Sequence, residues 1–134
     1  DTLPADCAAC RGADAGAIVH YVDYLTKKYP TQQLGLISAN MDSVISLFFG
    51  YGQNDCAGLT GPSAPMAGAT FAAGLEDLRA NYFALPNLGS YIVPSASHTW
   101  ETALTFYTTT VGATPLPEWM NQIVNEHLAT HVDP

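Results

Sequence analysis

Two residues of this chain could cooperate in acid–base chemistry. Asp42 and His98 each stand just past the end of a stretch of strand character, with the acid earlier in the chain. A buried carboxylate that accepts a ring N–H fixes the imidazole tautomer and stabilises the imidazolium, so that the second ring nitrogen can take a proton from a hydroxyl nucleophile. Open α/β sheets keep their ligand sites beyond the carboxyl ends of their strands, where these two residues fall. The plainer reading is that Asp42 only caps the helix that follows it and that His98 is an ordinary loop histidine.

Other residue types with chemical potential carry less. Cys7 and Cys10 form a Cys-x-x-Cys, and Cys56 stands alone. That spacing fits a redox pair, half of a zinc site or an element of a disulfide framework. Zinc would need a second ligand pair, and no second Cys-x-x-Cys is present. A disulfide is the favoured reading and implies an oxidising compartment and a secreted protein. Cys7, Cys10 and Cys56 are all candidates, and one thiol is left for a partner outside the chain. Ser63, in Gly61-Pro62-Ser63-Ala64-Pro65, has proline where a nucleophile elbow needs glycine and lies downstream of the acid. Cys56 as a thiol nucleophile is equally weak. His127 and His131 share the four-residue spacing of zinc-binding helices, but no third ligand accompanies them, so the expectation is a solvated helix face, no metal and no cofactor. His20 reads as a boundary residue of an amphipathic helix. Trp100, two residues after His98, lines a substrate pocket or packs under the histidine loop. Phe48, Phe49 and Tyr51 read as core.

These candidates are positioned by a simple order of elements. Leu34, Leu36, Ile37 and Ala39 make an apolar run of strand length, and Asn40 to Ser43 supply turn and N-cap residues. Val44, Ile45, Leu47, Phe48 and Phe49 then resume at helical spacing to about Phe49. Upstream, residues 1 to 13 read as a loop. Asp14 caps a helix from Ala15 to Tyr29 whose stripe is Ile18, Val19, Tyr21, Val22, Leu25 and Tyr29, with Lys27 and Lys28 in the last turn and Pro30 as the stop. Downstream, Gly50 to Pro65 reads as an irregular excursion. A helix follows from Met66 to about Phe83. Leu88 to Val93, closed by Pro94, is a second strand rich in strong strand formers. Glu101 to Thr110 is a short helix or irregular segment and Gly112 to Pro117 a turn. Glu118 to His131 reads as a closing helix with Trp119, Ile123, Val124 and Leu128 inward.

At 134 residues and 48% hydrophobic, the chain can bury one core, so residues 1–134 form a single domain or part of a larger one. The net charge of -8, with four Lys plus Arg, excludes the basic face that nucleic acids require. No apolar run reaches the roughly 20 residues of a membrane span, and no signal peptide is present. The first residue is Asp1 rather than Met, as expected of a processed product or an excised segment. Two strands are too few to bury both faces of a parallel sheet, which leads us to expect the carboxyl-terminal portion of a doubly wound α/β sheet whose other strands lie elsewhere.

The order of acid then histidine, both past strand ends, is that of the last two members of the α/β-hydrolase triad. The chain resembles the pectin acetylesterase-like carboxylic ester hydrolases, which include the Notum-type carboxylesterases. The resemblance is carried by Leu3-Pro4 with Cys7 and Cys10, by Tyr29-Pro30, and by Gly35-Leu36-Ile37-Ser38-Ala39-Asn40-Met41-Asp42 with Ile45 and Phe48-Phe49. It continues in His98-Thr99, Phe106-Tyr107-Thr108-Thr109 and Leu116-Pro117-Glu118-Trp119. It spans nearly the whole chain but only the last part of the family's domain. It implies an α/β-hydrolase fold with a mostly parallel sheet, incomplete in this chain, with Asp42 as the triad acid and His98 as the base. It also implies that the Gly-x-Ser-x-Gly nucleophile and the oxyanion-hole glycines come from an N-terminal part or a second chain. The expected activity is that of a secreted serine esterase on acetylated polysaccharides or other short-acyl esters. The competing expectation is a non-catalytic fragment or binding module that assembles with a partner and exposes an apolar sheet edge.

Overall fold

The computed structural model describes residues 4–11, 19–52, 64–100 and 103–134. Asp14, the helix start at Ala15 to Ile18, Cys56, Ser63 and Glu101 lie outside the described residues, as do the side chains of Val19 and Tyr51. Helices and strands alternate around a small parallel sheet. Its strands are β1 (Leu34–Ala39), β2 (Leu88–Val93) and β5 (His131–Val132), in the order β1-β2-β5. β1 and β2 run in register from Leu34 opposite Leu88 to Ala39 opposite Val93. All six residues of β2 are buried, as expected of a central parallel strand, whereas β1 stands at an edge with only Ala39 fully covered.

The two faces of the sheet carry different helices. Ile37, Ala39, Tyr91 and Val93 point to one face, where they meet Trp100, Val111, Leu116, Trp119 and Ile123 in the main core. Helix α4 (Ala103–Thr108) and helix α5 (Leu116–Asn121) cover this side. Leu36 and Ser38 point to the other face, toward α2 (Ser43–Gly52) and α3 (Gly68–Asn81). Helix α1 (Val19–Lys28) ends beside the start of β2, where the Asn87 amide donates to the carbonyls of Thr26, Tyr29 and Gln32 at 3.3, 3.3 and 3.0 Å. The segment before α1 contains a short 3-10 turn, Ala9–Arg11, within the expected loop, and Cys7 and Cys10 are disulfide-bonded there. Tyr24 and Lys28 of α1 hold it by donating to Asp6.

Trp119 is the centre of the packing. Its ring lies over Gly35, where an added Cβ would come within 2.9 Å of Cη2, and it tilts against Tyr91 with centroids 5.5 Å apart. Gly35 therefore serves the close approach of an aromatic ring to a strand, a position where any side chain would clash.

Several expectations are corrected. The closing helix does not run from Glu118 to His131. It starts at Leu116 and widens into a π turn, Gln122–Glu126, before ending at His127, whose φ is +55°. Trp119 and Ile123, four residues apart, share the inward face, whereas Val124, five residues after Trp119, turns away from it and Leu128 lies beyond the helix end, and these two are 58% and 51% exposed. His131 then enters β5 opposite Ser90, so His127 and His131 do not share a helix face. No metal-ligating cluster of three occurs among the described residues. The turn at Gly112 is the tip of a hairpin, β3 (Thr110–Val111) and β4 (Thr114–Pro115), with Gly112 at φ +56°. α2 continues to Gly52, beyond its expected end, and α3 is two residues shorter at each end than the apolar stripe suggests. Phe48 and Phe49 are not core: they are 63% and 51% exposed.

Candidate functional site

Asp42 and His98 meet beyond the carboxyl ends of the two neighbouring strands. His98 Nδ1 lies 2.9 Å from Asp42 Oδ2 and 3.2 Å from Oδ1. The loops that carry them are stitched together by backbone. After β1 and β2 stop pairing, the amides of Asn40, Met41 and Ser43 donate to the carbonyls of Val93, Ser95 and Ala96 at 2.9, 3.1 and 3.1 Å. The Asn40 side chain accepts from the Ser95 amide, and the Ser95 hydroxyl accepts from the Ser97 amide. The sheet pattern is thus extended into both turns, which sets the separation of residues 42 and 98 before either side chain contributes.

Asp42 has two tasks at once. Its Oδ1 accepts the amides of Val44 and Ile45 at 2.9 and 2.8 Å, which makes it the N-cap of α2. Its Oδ2 is then free for His98. The helix cap and the contact with His98 coexist, because one carboxylate has lone pairs enough for both. Burial alone would raise the Asp42 pKa, but the Ile45 amide, the His98 contact and the Val44 amide outweigh it and hold the carboxyl below its ordinary value. The pair is asymmetric in exposure, with the Asp42 side chain 5% accessible and that of His98 41%. With Nδ1 committed to Asp42, Nε2 is the ring atom left to exchange a proton with a reactant.

Trp100 has two sets of neighbours. It is buried in the main core under the histidine loop, and it also lines a cavity of about 280 Å³ that His98 borders. The rest of that lining comes from β1, α4 and α5, through Ile37, Phe106, Leu116 and Met120, with Thr99 beside the histidine. These residues converge from separated elements, so spacing in the sequence does not group them. His20 is half-buried, edge-on to Tyr82, as a boundary residue should be.

Comparison with protein-family models, curated proteins and solved structures finds no match to this chain. Function must therefore be read from the site itself. A serine–histidine contact lies elsewhere, with Ser90 Oγ 2.9 Å from His131 Nδ1. Ser90 is 1% exposed in the middle of the central strand, so the contact ties β5 to β2 and offers no access to a substrate. Burial, with the nearby Arg79 charge, lowers the His131 pKa and favours its neutral form as the partner of a hydroxyl.

Proposed function

We propose that this chain supplies the acid and the base of a serine carboxylic ester hydrolase, with the nucleophilic serine contributed by polypeptide outside it. The observation that carries this reading is the buried, doubly anchored Asp42 carboxylate 2.9 Å from the Nδ1 of a more open His98, at the carboxyl rim of a parallel sheet. In the proposed cycle His98 Nε2 takes the serine proton as the serine oxygen attacks the ester carbonyl, and the imidazolium returns that proton to the leaving alcohol. Water, deprotonated by the same nitrogen, then attacks the acyl-serine carbonyl, and the imidazolium returns that proton to the serine oxygen as the acid leaves. Asp42 stays ionised throughout.

The edge position of β1 and the exposure of Met41, Val44, Leu47, Phe48 and Phe49 around the start of α2 support a missing neighbour on that side. The same feature favours the second reading, a non-catalytic chain that assembles with a partner. The Cys7–Cys10 bond fits a secreted protein. The proposed substrates are acetylated sugar polymers or other short-acyl esters.

Natural material, purified without dissociation, separates the two readings. Treatment with a fluorophosphonate should label one serine outside residues 1–134, in a species that co-migrates with this chain and hydrolyses a chromogenic short-acyl ester. A species that assembles but takes no label and shows no turnover would leave the binding-module reading.

A further inference from the structure

We infer that Asn40 is a positioning residue for His98: its side-chain oxygen takes the place of a backbone carbonyl in the last rung of the parallel ladder and holds the histidine loop in register with the acid loop. This rests on the acid–base reading of Asp42 and His98 given above and extends it to a residue outside that pair.

The strand register sets what the backbone alone would do. In a parallel pair, each bonding residue donates its amide to the residue before its partner and accepts, through its carbonyl, from the residue after it. Leu34, opposite Leu88, follows this pattern by donating to the Asn87 carbonyl at 2.8 Å. Asn40 stands one step past the last pair, Ala39 opposite Val93, and its amide donates to the Val93 carbonyl at 2.9 Å, as the pattern requires. The matching bond of a regular ladder would run from the Ser95 amide to the Asn40 backbone carbonyl. The Ser95 amide instead donates to Asn40 Oδ1 at 3.2 Å. A carboxamide oxygen accepts as a peptide carbonyl does, so the side chain completes the rung.

The direction of the chain gives this exchange its use. Asp42 caps α2 two residues after Asn40, so the backbone has to leave the sheet here, whereas the loop after β2 runs on to residue 98. An asparagine side chain can keep the bond while its backbone turns away. The Ser95 amide also lies 2.8 Å from the Val93 carbonyl, so it would not be orphaned without Asn40. What Asn40 adds is a tie between the two loops. Ser95 is well placed to receive it, because its carbonyl accepts the Met41 amide at 3.1 Å and its hydroxyl accepts the Ser97 amide at 3.0 Å. Residues 40 and 41 thus grip both backbone polar groups of Ser95, and Ser95 fixes the residue that immediately precedes His98.

Charge favours asparagine over aspartate at this place. Asn40 borders a cavity of about 330 Å³ on the α3 side of the sheet, where Glu76 and Asp133 face a single Arg79, and Asp42 follows two residues later. A neutral acceptor makes the rung without adding a carboxylate to these surroundings.

The test compares this chain with Asn40→Leu, which keeps the approximate shape and removes the acceptor, and with Asn40→Asp, which keeps an acceptor oxygen. The readout is the ratio of Nδ1-protonated to Nε2-protonated neutral His98 in proton–nitrogen correlation spectra. Asn40→Leu should move that ratio about fivefold toward Nε2, the effect of losing roughly one net hydrogen bond. The Trp119 indole proton, which is held by the Thr130 carbonyl, should stay in place. Asn40→Asp accepts the Ser95 amide in a charge-assisted bond and should return the ratio to within roughly twofold of the parent. In the proposed esterase assembly, Asn40→Leu should lower kcat about fivefold with KM unchanged, and Asn40→Asp should restore it. A ratio that Asn40→Leu leaves at the parent value, an Asn40→Asp chain that behaves like Asn40→Leu, or a Trp119 signal that moves together with that of His98 would each overturn the assignment. An Asn40→Leu chain that does not fold would overturn it too, because residue 40 would then serve the fold and not the histidine. The ratio is read without turnover, so a chain that shows the Asn40→Leu shift but never supports ester hydrolysis keeps the positioning role and loses the esterase reading. An active assembly indifferent to Asn40→Leu does the reverse.

Discussion

Asp42→Asn should lower the kcat of the proposed esterase assembly by about 10³- to 10⁴-fold while leaving the fold of this chain in place. The two halves of that expectation follow from the two oxygens of Asp42. Asparagine retains one side-chain oxygen, which suffices to accept the Val44 and Ile45 amides, and Asn and Asp are comparable N-caps. The position facing His98 Nδ1, however, becomes an NH₂ donor. The imidazole must then present Nδ1 as an acceptor, which moves its own proton to Nε2 and disables the nitrogen that should receive the serine proton. Steady-state turnover and circular dichroism of the two proteins give the comparison. An Asp42→Asn enzyme within tenfold of the parent would remove the acid role from Asp42.

The same substitution carries a pH signature in stability. The folded carboxyl holds its proton less readily than the unfolded one, so just below the ordinary value of 3.8 the unfolded chain binds more protons and stability rises with pH. The contribution from Asp42 is complete above that value and is lost as pH falls through the lower folded pKa. The stability difference between parent and Asp42→Asn should therefore shrink on acidification in that window. It should not change on moving from neutral to alkaline pH.

The largest loss of stability is expected at Trp119→Ala, at about 3–5 kcal/mol in denaturant titrations. The indole is fully buried, lies against Gly35 and Tyr91, and donates from Nε1 to the Thr130 carbonyl at 3.1 Å. It thereby ties α5 to both long strands and to the segment leading into β5. Alanine would leave a cavity that glycine on the opposing strand cannot fill. Against a typical total of roughly 5–15 kcal/mol, such a loss takes up much of what holds a domain folded. Trp119→Phe should cost less, about 1–3 kcal/mol, from the lost ring volume and the lost Nε1 hydrogen bond, since the Thr130 carbonyl still accepts the Ser90 amide. Equal and small losses for both variants would mean that α5 is not the keystone described above.

The parts legible in the chain were those whose side chains repeat or punctuate. β1 and β2 are six-residue apolar runs closed by Asn40 and Pro94, and their ends could be placed because turn residues follow immediately. That was enough to put Asp42 and His98 on one rim. The contact between them was not legible in the same way, because it depends on backbone bonds from Asn40, Met41 and Ser43 to Val93, Ser95 and Ala96, which leave no mark on side-chain pattern. β5 was missed for a related reason: two paired residues are too few to show a two-residue period, and His131 looked like a continuation of a helix. Val124 and Leu128 face out because Val124 stands five residues after Trp119, off its face of the helix, and Leu128 lies past the helix end at His127. Phe48 and Phe49 misled because hydrophobicity marks a need for cover, and the cover need not come from the described residues.

The central claim is that Asp42 fixes His98 with its proton on Nδ1 and Nε2 open to a reactant, and long-range proton–nitrogen NMR correlation spectra of His98 test it without any substrate. At a pH where the ring is neutral, the account predicts a protonated Nδ1 and an unprotonated Nε2 in the parent chain, with the pattern reversed in Asp42→Asn. A parent spectrum with the proton on Nε2, or one that Asp42→Asn leaves unchanged, would contradict it.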